Sequence, residues 1–421
     1  MTSIDTTRPT QLSVTRLVVT VLGPFALGYL MSYLYRSVNA VVAPNLVQDI
    51  GLSAGQLGLL TSAYLFAFAL FQLPLGLLLD RFGPRRVQAA VFSVGAAGSL
   101  LFAVGDSAVV LTLARAMIGL GFAGGLMAGF KAVVLWFPAE RRALCNALIM
   151  SFGGLGQLAA TVPVEIAVQM VGWRGVFVGL AGITIAVAAV ILAVVPEKRS
   201  DLKVEPLGLQ LAGLERVLRD KAFWRLAPLL AAAGGSHIAI QTLWAGPWFR
   251  DVAGLDRAGV ALHLSIVAVS FLVGILGGGI LADWLGRRGV RILTVMAWTL
   301  GAYMLSLLLI ILEPTSMVIP VWVLFGMTGQ LAILAYPWLA SYFGVELSGR
   351  ATTAMNLIIF MTAFAVQYAI GAIIDLFPPT ATGGYDPRAY QVAFGIVLAI
   401  QLVAMIWYLT KIPRLPDDRV A

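Results

Sequence analysis

Charge is what this sequence has least of. Only 11% of its 421 residues are Asp, Glu, Lys or Arg, against about 25% in ordinary globular chains. Cysteine occurs once, as Cys145, so no intramolecular disulfide can form. The two histidines, His237 and His263, are far from any Cys or acidic cluster, and no metal site is expected. No Gly-Lys pair occurs, which removes the phosphate-cradling loop that would bind ATP. A disulfide framework, a metal centre and ATP-driven work are thereby excluded. No cofactor is expected, and the chain does not read as an enzyme.

What fills the sequence is apolar: 60% of residues are hydrophobic. A helix needs roughly 20 mainly apolar residues to cross a hydrocarbon layer about 30 Å thick. Runs of that kind lie at 17–43, 52–79, 87–105, 108–136, 143–171, 175–195, 224–248, 259–282, 290–312, 316–344, 351–376 and 391–410. They do not alternate in polarity, so they read as helices and not as barrel strands. The first run is longer than a signal-peptide core, and no small-residue cleavage site comes after it. The expected fold is an all-α membrane protein of twelve transmembrane helices in two pseudo-symmetric bundles of six. The first bundle takes residues 1–195 and the second 224–421. Between them, 196–223 forms a linker in which Leu207, Leu211, Leu214 and Leu218 recur at helical spacing. Both an amphipathic surface helix and a solvated linker fit that pattern.

The net charge of +8 raises the question of nucleic acid, and its distribution answers it. With loops assigned alternately to the two sides, one side holds only Arg174, Arg250, Arg257 and Arg388 of the 28 basic residues. The other side collects nearly all the rest, which is the positive-inside pattern. Both termini are therefore expected in the cytoplasm of a bacterial cell, with the chain in its inner membrane. The lipid bilayer is a partner, nucleic acid is not, and a monomer is expected.

The halves echo each other. Gly76-Leu-Leu-Leu-Asp80-Arg81-Phe-Gly83-Pro84-Arg85-Arg86 comes after the second run, and Gly279-Ile-Leu-Ala-Asp283-Trp284-Leu-Gly286-Arg287-Arg288 after the eighth, at an offset of 203 positions. Internal repeats of this kind build many secondary transporters, with the substrate site where the repeats meet. On these residues the chain resembles the major facilitator superfamily, whose signature loop reads Gly-x-x-x-Asp-Arg-x-Gly-x-Arg-Arg. Arg115, Gly119 and Gly121 also match a family motif of the fourth helix. The resemblance covers essentially the whole chain and implies alternating access by two rocking bundles. Gly76, Asp80, Arg81, Gly83, Arg85, Arg86 and Asp283 are then candidates for gating. Asp80 is expected to pair with Arg81 or Arg85 and to sit against the positive end of the eleventh helix, capped by Ser348.

Charge deep inside the runs, away from their ends, is limited to Arg36, Arg115, Lys131 and Glu165, and charge in a membrane marks function. Arg36 can offer a bidentate fork to a carboxylate; a permanent ion pair with Glu165 is the alternative. Arg115 belongs to a motif shared across unrelated substrates, so a structural or coupling role fits it. Glu165, the one acid, could carry a proton if its partners change, and could not if it is locked in a fixed pair. Lys131 reads as snorkelling to the basic side. In the seventh run His237, Gln241, Trp244 and Trp248 fall at i, i+4, i+7 and i+11, one face of a helix. His237 is a candidate for both substrate contact and proton transfer, and Trp248 for the interfacial aromatic belt. Further cavity candidates are Tyr64, Gln72, Gln330, Tyr336, Asn356 and Gln367.

Three interior cations against one acid favour an anionic substrate. An arginine in the first helix is similar to the organic-anion branches of the superfamily, although His237 stands where those have a second arginine. The antiporter motif of the fifth helix is absent, since Gln157 comes directly after Gly153-Gly154-Leu-Gly156. The expected function is proton-coupled uptake of a small carboxylate-like anion, with protons as the coupling ion. Efflux of drugs or metabolites by proton antiport is the alternative. A receptor on a transporter fold is not expected, because no long tail extends beyond the last run.

Overall fold

The computed structural model describes residues 14–197, 207–312, 317–380 and 383–412. Among them no strand occurs, as expected where no water is at hand to satisfy an open sheet edge. Eleven helical stretches are long and apolar enough to cross a membrane. Glycines in the left-handed region divide the longest of them. Gly83 (φ 76°), Gly172 (φ 71°) and Gly344 (φ 68°) interrupt otherwise continuous helix, in a conformation that any Cβ would penalise. The stretch Ala139–Ala159 begins with Glu140, Arg141 and Arg142 and falls short in apolarity, but it runs on past Thr161 into 162–171.

Divided in this way, the described residues form twelve passes. Spans one to six are 14–50, 54–82, 84–104, Ala108–Trp136, 139–171 and 173–194. Spans seven to twelve are Lys221–Asp251, Arg257–Gly286, Ile292–Ile311, 318–343, 345–374 and Pro387–Thr410. Outward surfaces carry unpartnered apolar side chains, such as Leu276, Ile280, Val403 and Ile406, each more than half exposed. Water would not tolerate such a surface, whereas acyl chains solvate it. The architecture expected from the sequence is the one observed.

Several local expectations change. The repeat aligns Gly286 with Gly83, yet the left-handed turn of the second half is at Gly289 (φ 81°). Residue pattern recurs there and backbone geometry does not. Ser348 is no cap, because span eleven already starts after Gly344 and Ser348 lies inside it. The linker does contain a helix, Leu207–Leu218, and Gly213 within it lies against the Arg350 side chain of span eleven. Asp220 then caps span seven by accepting from the Ala222 and Phe223 amides (2.7 and 3.2 Å).

The end of the molecule carrying Arg85, Arg86, Arg142, Arg287 and Arg288 is termed the basic face, and the opposite end the far face. At the far face the halves meet closely. Pro44 has no N–H to give the Ala40 carbonyl, and Gly246 of span seven approaches that carbonyl more closely than a side chain would allow. Gly371 of span eleven approaches the Ala54 backbone in the same manner. Small residues let helices pack at backbone distance, and here they seal one end of the interface.

Candidate functional site

The far-face seal is polar as well as steric. Asp375, at the end of span eleven, accepts from Ser53 Oγ (2.7 Å) and from the Ala54 and Gly55 amides (2.8 Å each) at the start of span two. A carboxylate at a helix N-terminus meets unpaired N–H groups and the positive end of the helix dipole. A second contact joins the halves at this face, where Glu165 of span five accepts from Arg257 Nε of span eight at 3.0 Å. Arg257 also donates to Asn45 Oδ1 (2.8 Å), and Thr161 and Ser265 share a hydrogen bond of 2.8 Å.

Below this seal a cavity of about 300 Å³ lies between the halves, lined from spans one, two, four, five, seven, eight, ten and eleven. Among its lining residues Arg36 is the only charged one. Its side chain is buried, and its Cζ lies 4.6, 5.0 and 5.1 Å from the ring centroids of Tyr33, Phe68 and Phe360. Cation–π attraction holds the guanidinium within this aromatic frame without neutralising it. No carboxylate among the described residues pairs with it, and its Nε has no hydrogen-bond partner there. The alternative pair with Glu165 is not formed, because Glu165 is engaged by Arg257 and by Gln169 Nε2 (3.0 Å). A buried cation without a counter-charge is costly, and an anion entering the cavity would offset that cost.

Of the neutral candidates, Gln72, Gln241, Gln330, Tyr336 and Asn356 do line the cavity. Tyr336 donates its hydroxyl to Asn356 Oδ1, which turns the amide N–H₂ of Asn356 free of that oxygen. Gln241 borders the same space, and its Nε2 is buried without a partner among the described residues.

Others do not. Tyr64 is buried, with its hydroxyl on the Ser32 carbonyl (3.2 Å) and its ring beside Arg115 (5.2 Å). Arg115 is fully buried behind it and donates to the Tyr35 carbonyl at 2.9 Å. The expected single face of span seven is not formed. A π-helical turn over Ile240–Trp244 inserts an extra residue and rotates the helix beyond it. His237 turns into the second bundle, against Phe325 and Phe271 (5.0 and 6.2 Å), and neither ring nitrogen has a partner among the described residues. Trp244 is buried and donates to the Gln367 carbonyl (3.0 Å). Trp248 is packed on Trp322 (5.1 Å) and does not belong to an interfacial belt.

Towards the basic face Gln72, Met127 and Phe130 are shared with a second volume of about 310 Å³, lined by Gly76, Asp80 and Lys131. There Asp80 pairs with Lys131 Nζ at 2.7 Å, so neither the pairing with Arg81 or Arg85 nor simple snorkelling of Lys131 is observed. Arg81 instead lies over Phe82 (5.2 Å). Arg85 donates to the Leu192 carbonyl and Arg86 pairs with Glu197 (2.7 Å), tying the signature loop to the end of span six. Asp283 of the second repeat is exposed.

Sequence reasoning missed Tyr29, Gln157 and Thr242, all of which line the cavity. The first was findable: Tyr29, Tyr33 and Arg36 fall at i, i+4 and i+7 on one face of span one. Gln157 stands just after glycines that let span five press against Tyr29 and Leu30, and those packing glycines draw attention away from it.

The profile of the Major Facilitator Superfamily matches residues 25–366. A probable sulfoacetate transporter, SauU of Cupriavidus necator, is 24% identical over 281 residues, 64% of this chain and 65% of that protein. The match thus spans just under two thirds of that relative. The hexuronate transporter of Escherichia coli is 27% identical over 308 residues, 66% of this chain and 69% of that one. Among solved structures, a bacterial homologue of the human lysosomal transporter Spinster, inward-facing and unoccupied, superposes with a TM-score of 0.71 at 19% identity, covering 94% of this chain and 97% of that one.

Proposed function

This chain belongs to the major facilitator superfamily, and from that premise we propose that it carries small organic anions across a bacterial plasma membrane by alternating access. The observation that carries the reading is Arg36, an uncompensated cation facing a cavity between the halves. The relatives named for sulfoacetate and hexuronate support an acidic cargo. The excess of Lys and Arg makes the basic face cytoplasmic, so the described conformation, sealed at the far face, is inward-facing.

Bringing a monovalent anion into a cell that is negative inside costs about 2.3 kcal/mol per 100 mV, and one proton carried with it cancels that charge. Glu165 fits the proton carrier better than His237 does. Its pair with Arg257 joins the two halves and must part when the far face opens, whereas His237 stays enclosed among aromatic rings. Asp80 and Lys131, at the basic end of the pathway, pair within the first half, so their ion pair does not hold the two halves together.

Drug efflux is less well served. A cavity for lipophilic cations calls for an exposed acid, and no carboxylate lines the cavity among the described residues. Thermal unfolding of the purified chain against a panel of organic anions and lipophilic cations separates the readings. An anion at about a hundred times its Kd should stabilise the protein by about 2.7 kcal/mol. Stabilisation by the cations alone would refute the anion assignment.

A further inference from the structure

We propose that the cavity discriminates by charge number, admitting hydroxylated monocarboxylates and disfavouring dicarboxylates of the same length. This rests on the reading of Arg36 as an anion anchor. It goes further by naming how many acid groups the cargo carries.

Each of the other cations near the pathway is committed elsewhere. Arg115 lies behind Tyr64 on the Tyr35 carbonyl, Lys131 is paired with Asp80, and Arg257 with Glu165. Arg36 is therefore the single positive charge that a ligand in the cavity can reach among the described residues. Its guanidinium is framed by three rings at 4.6–5.1 Å. A second carboxylate on the ligand would be desolvated with no cation opposite it, a cost that hydrogen bonds from neutral groups only partly offset.

Neutral groups are what the rest of the cavity offers. Phe360, Asn356 and Thr352 recur every four residues along span eleven, so the Asn356 backbone lies about 6 Å along the helix axis from that of Phe360, whose ring frames Arg36. Tyr336 holds the Asn356 oxygen, leaving its N–H₂ to donate. Gln72 Oε1 remains an acceptor because its Nε2 is spent on the Ala123 carbonyl (3.1 Å). A donor and an acceptor in the same cavity as the cation suit alcohol groups on the body of a short acid. A buried amide left without a partner is costly, so a ligand with hydroxyls gains over one without.

The test uses full-length protein at neutral pH and three six-carbon probes: gluconate, glucarate and hexanoate. They carry, respectively, one carboxylate with hydroxyls, two carboxylates with hydroxyls, and one carboxylate alone. Calorimetric titration should show gluconate binding at least about tenfold tighter than either of the others. Equal or tighter binding of glucarate would overturn the charge discrimination, and equal binding of hexanoate would overturn the hydroxyl contacts. If none of the three binds, this proposal fails, while the anion reading is judged separately by the wider panel of anions and cations. Asn356→Lys adds the missing second cation and should move the preference towards glucarate; an unchanged ratio in folded variant protein counts against the proposal.

Discussion

Arg36→Gln is expected to lower anion affinity and uptake about a hundredfold, about 3 kcal/mol, without lowering the melting temperature of the ligand-free protein. The two halves of that expectation have one cause. In the empty cavity the guanidinium is buried, framed by Tyr33, Phe68 and Phe360, and opposed by no carboxylate among the described residues. A charge held in that way is a cost to the resting fold, which the neutral glutamine does not bear. A residue whose work was structural would show the opposite pattern, with stability falling and binding spared. Arg36→Lys keeps the charge and loses the planar fork, so it should fall between wild type and Arg36→Gln. Proteoliposome uptake together with calorimetric binding checks the series. Normal carboxylate uptake by Arg36→Gln would dismiss Arg36 as the anchor.

Asp375→Asn should loosen the far face. The Asp375 carboxylate bridges span eleven to the start of span two through three hydrogen bonds, two of them to backbone amides at a helix N-terminus. The substitution keeps the size and removes the charge, and losing the charge–dipole attraction costs about 1 kcal/mol at an exposed site. That shifts the equilibrium about fivefold towards the state open at the far face. Ser37 lines the cavity, and a cysteine placed there in a background lacking Cys145 reports access from the far side. Its labelling should quicken about fivefold in the Asp375→Asn variant. Unchanged labelling would show that the Asp375 carboxylate does not set the balance.

Much of the fold is legible in the residues alone. The twelve passes emerge from run length, and Arg36 stands out because a charge inside an apolar run has few reasons to be there. The turn at Gly83 belongs to the signature loop. The features that were not legible depend on partners distant in sequence. Asp375 looks like the polar end of a helix, and only folding brings it to Ser53, more than 300 residues away. Glu165 was visible as the interior acid, but its partner Arg257 reads as an ordinary loop charge. The face expected for His237, Gln241, Trp244 and Trp248 does not form for a local reason. Periodicity assumes a constant residue count per turn, and the π-helical turn at Ile240–Trp244 breaks that count. Asp80 and Lys131 lie 51 residues apart on different spans, so snorkelling was inferred where an ion pair forms.

Determining the structure of this chain with an organic anion bound tests the central claim most directly. The acid oxygens are expected within about 2.7–2.9 Å of the Arg36 guanidinium, beside Tyr33, Phe68 and Phe360. An anion seated elsewhere, with Arg36 neutralised by a carboxylate of the protein, would contradict it.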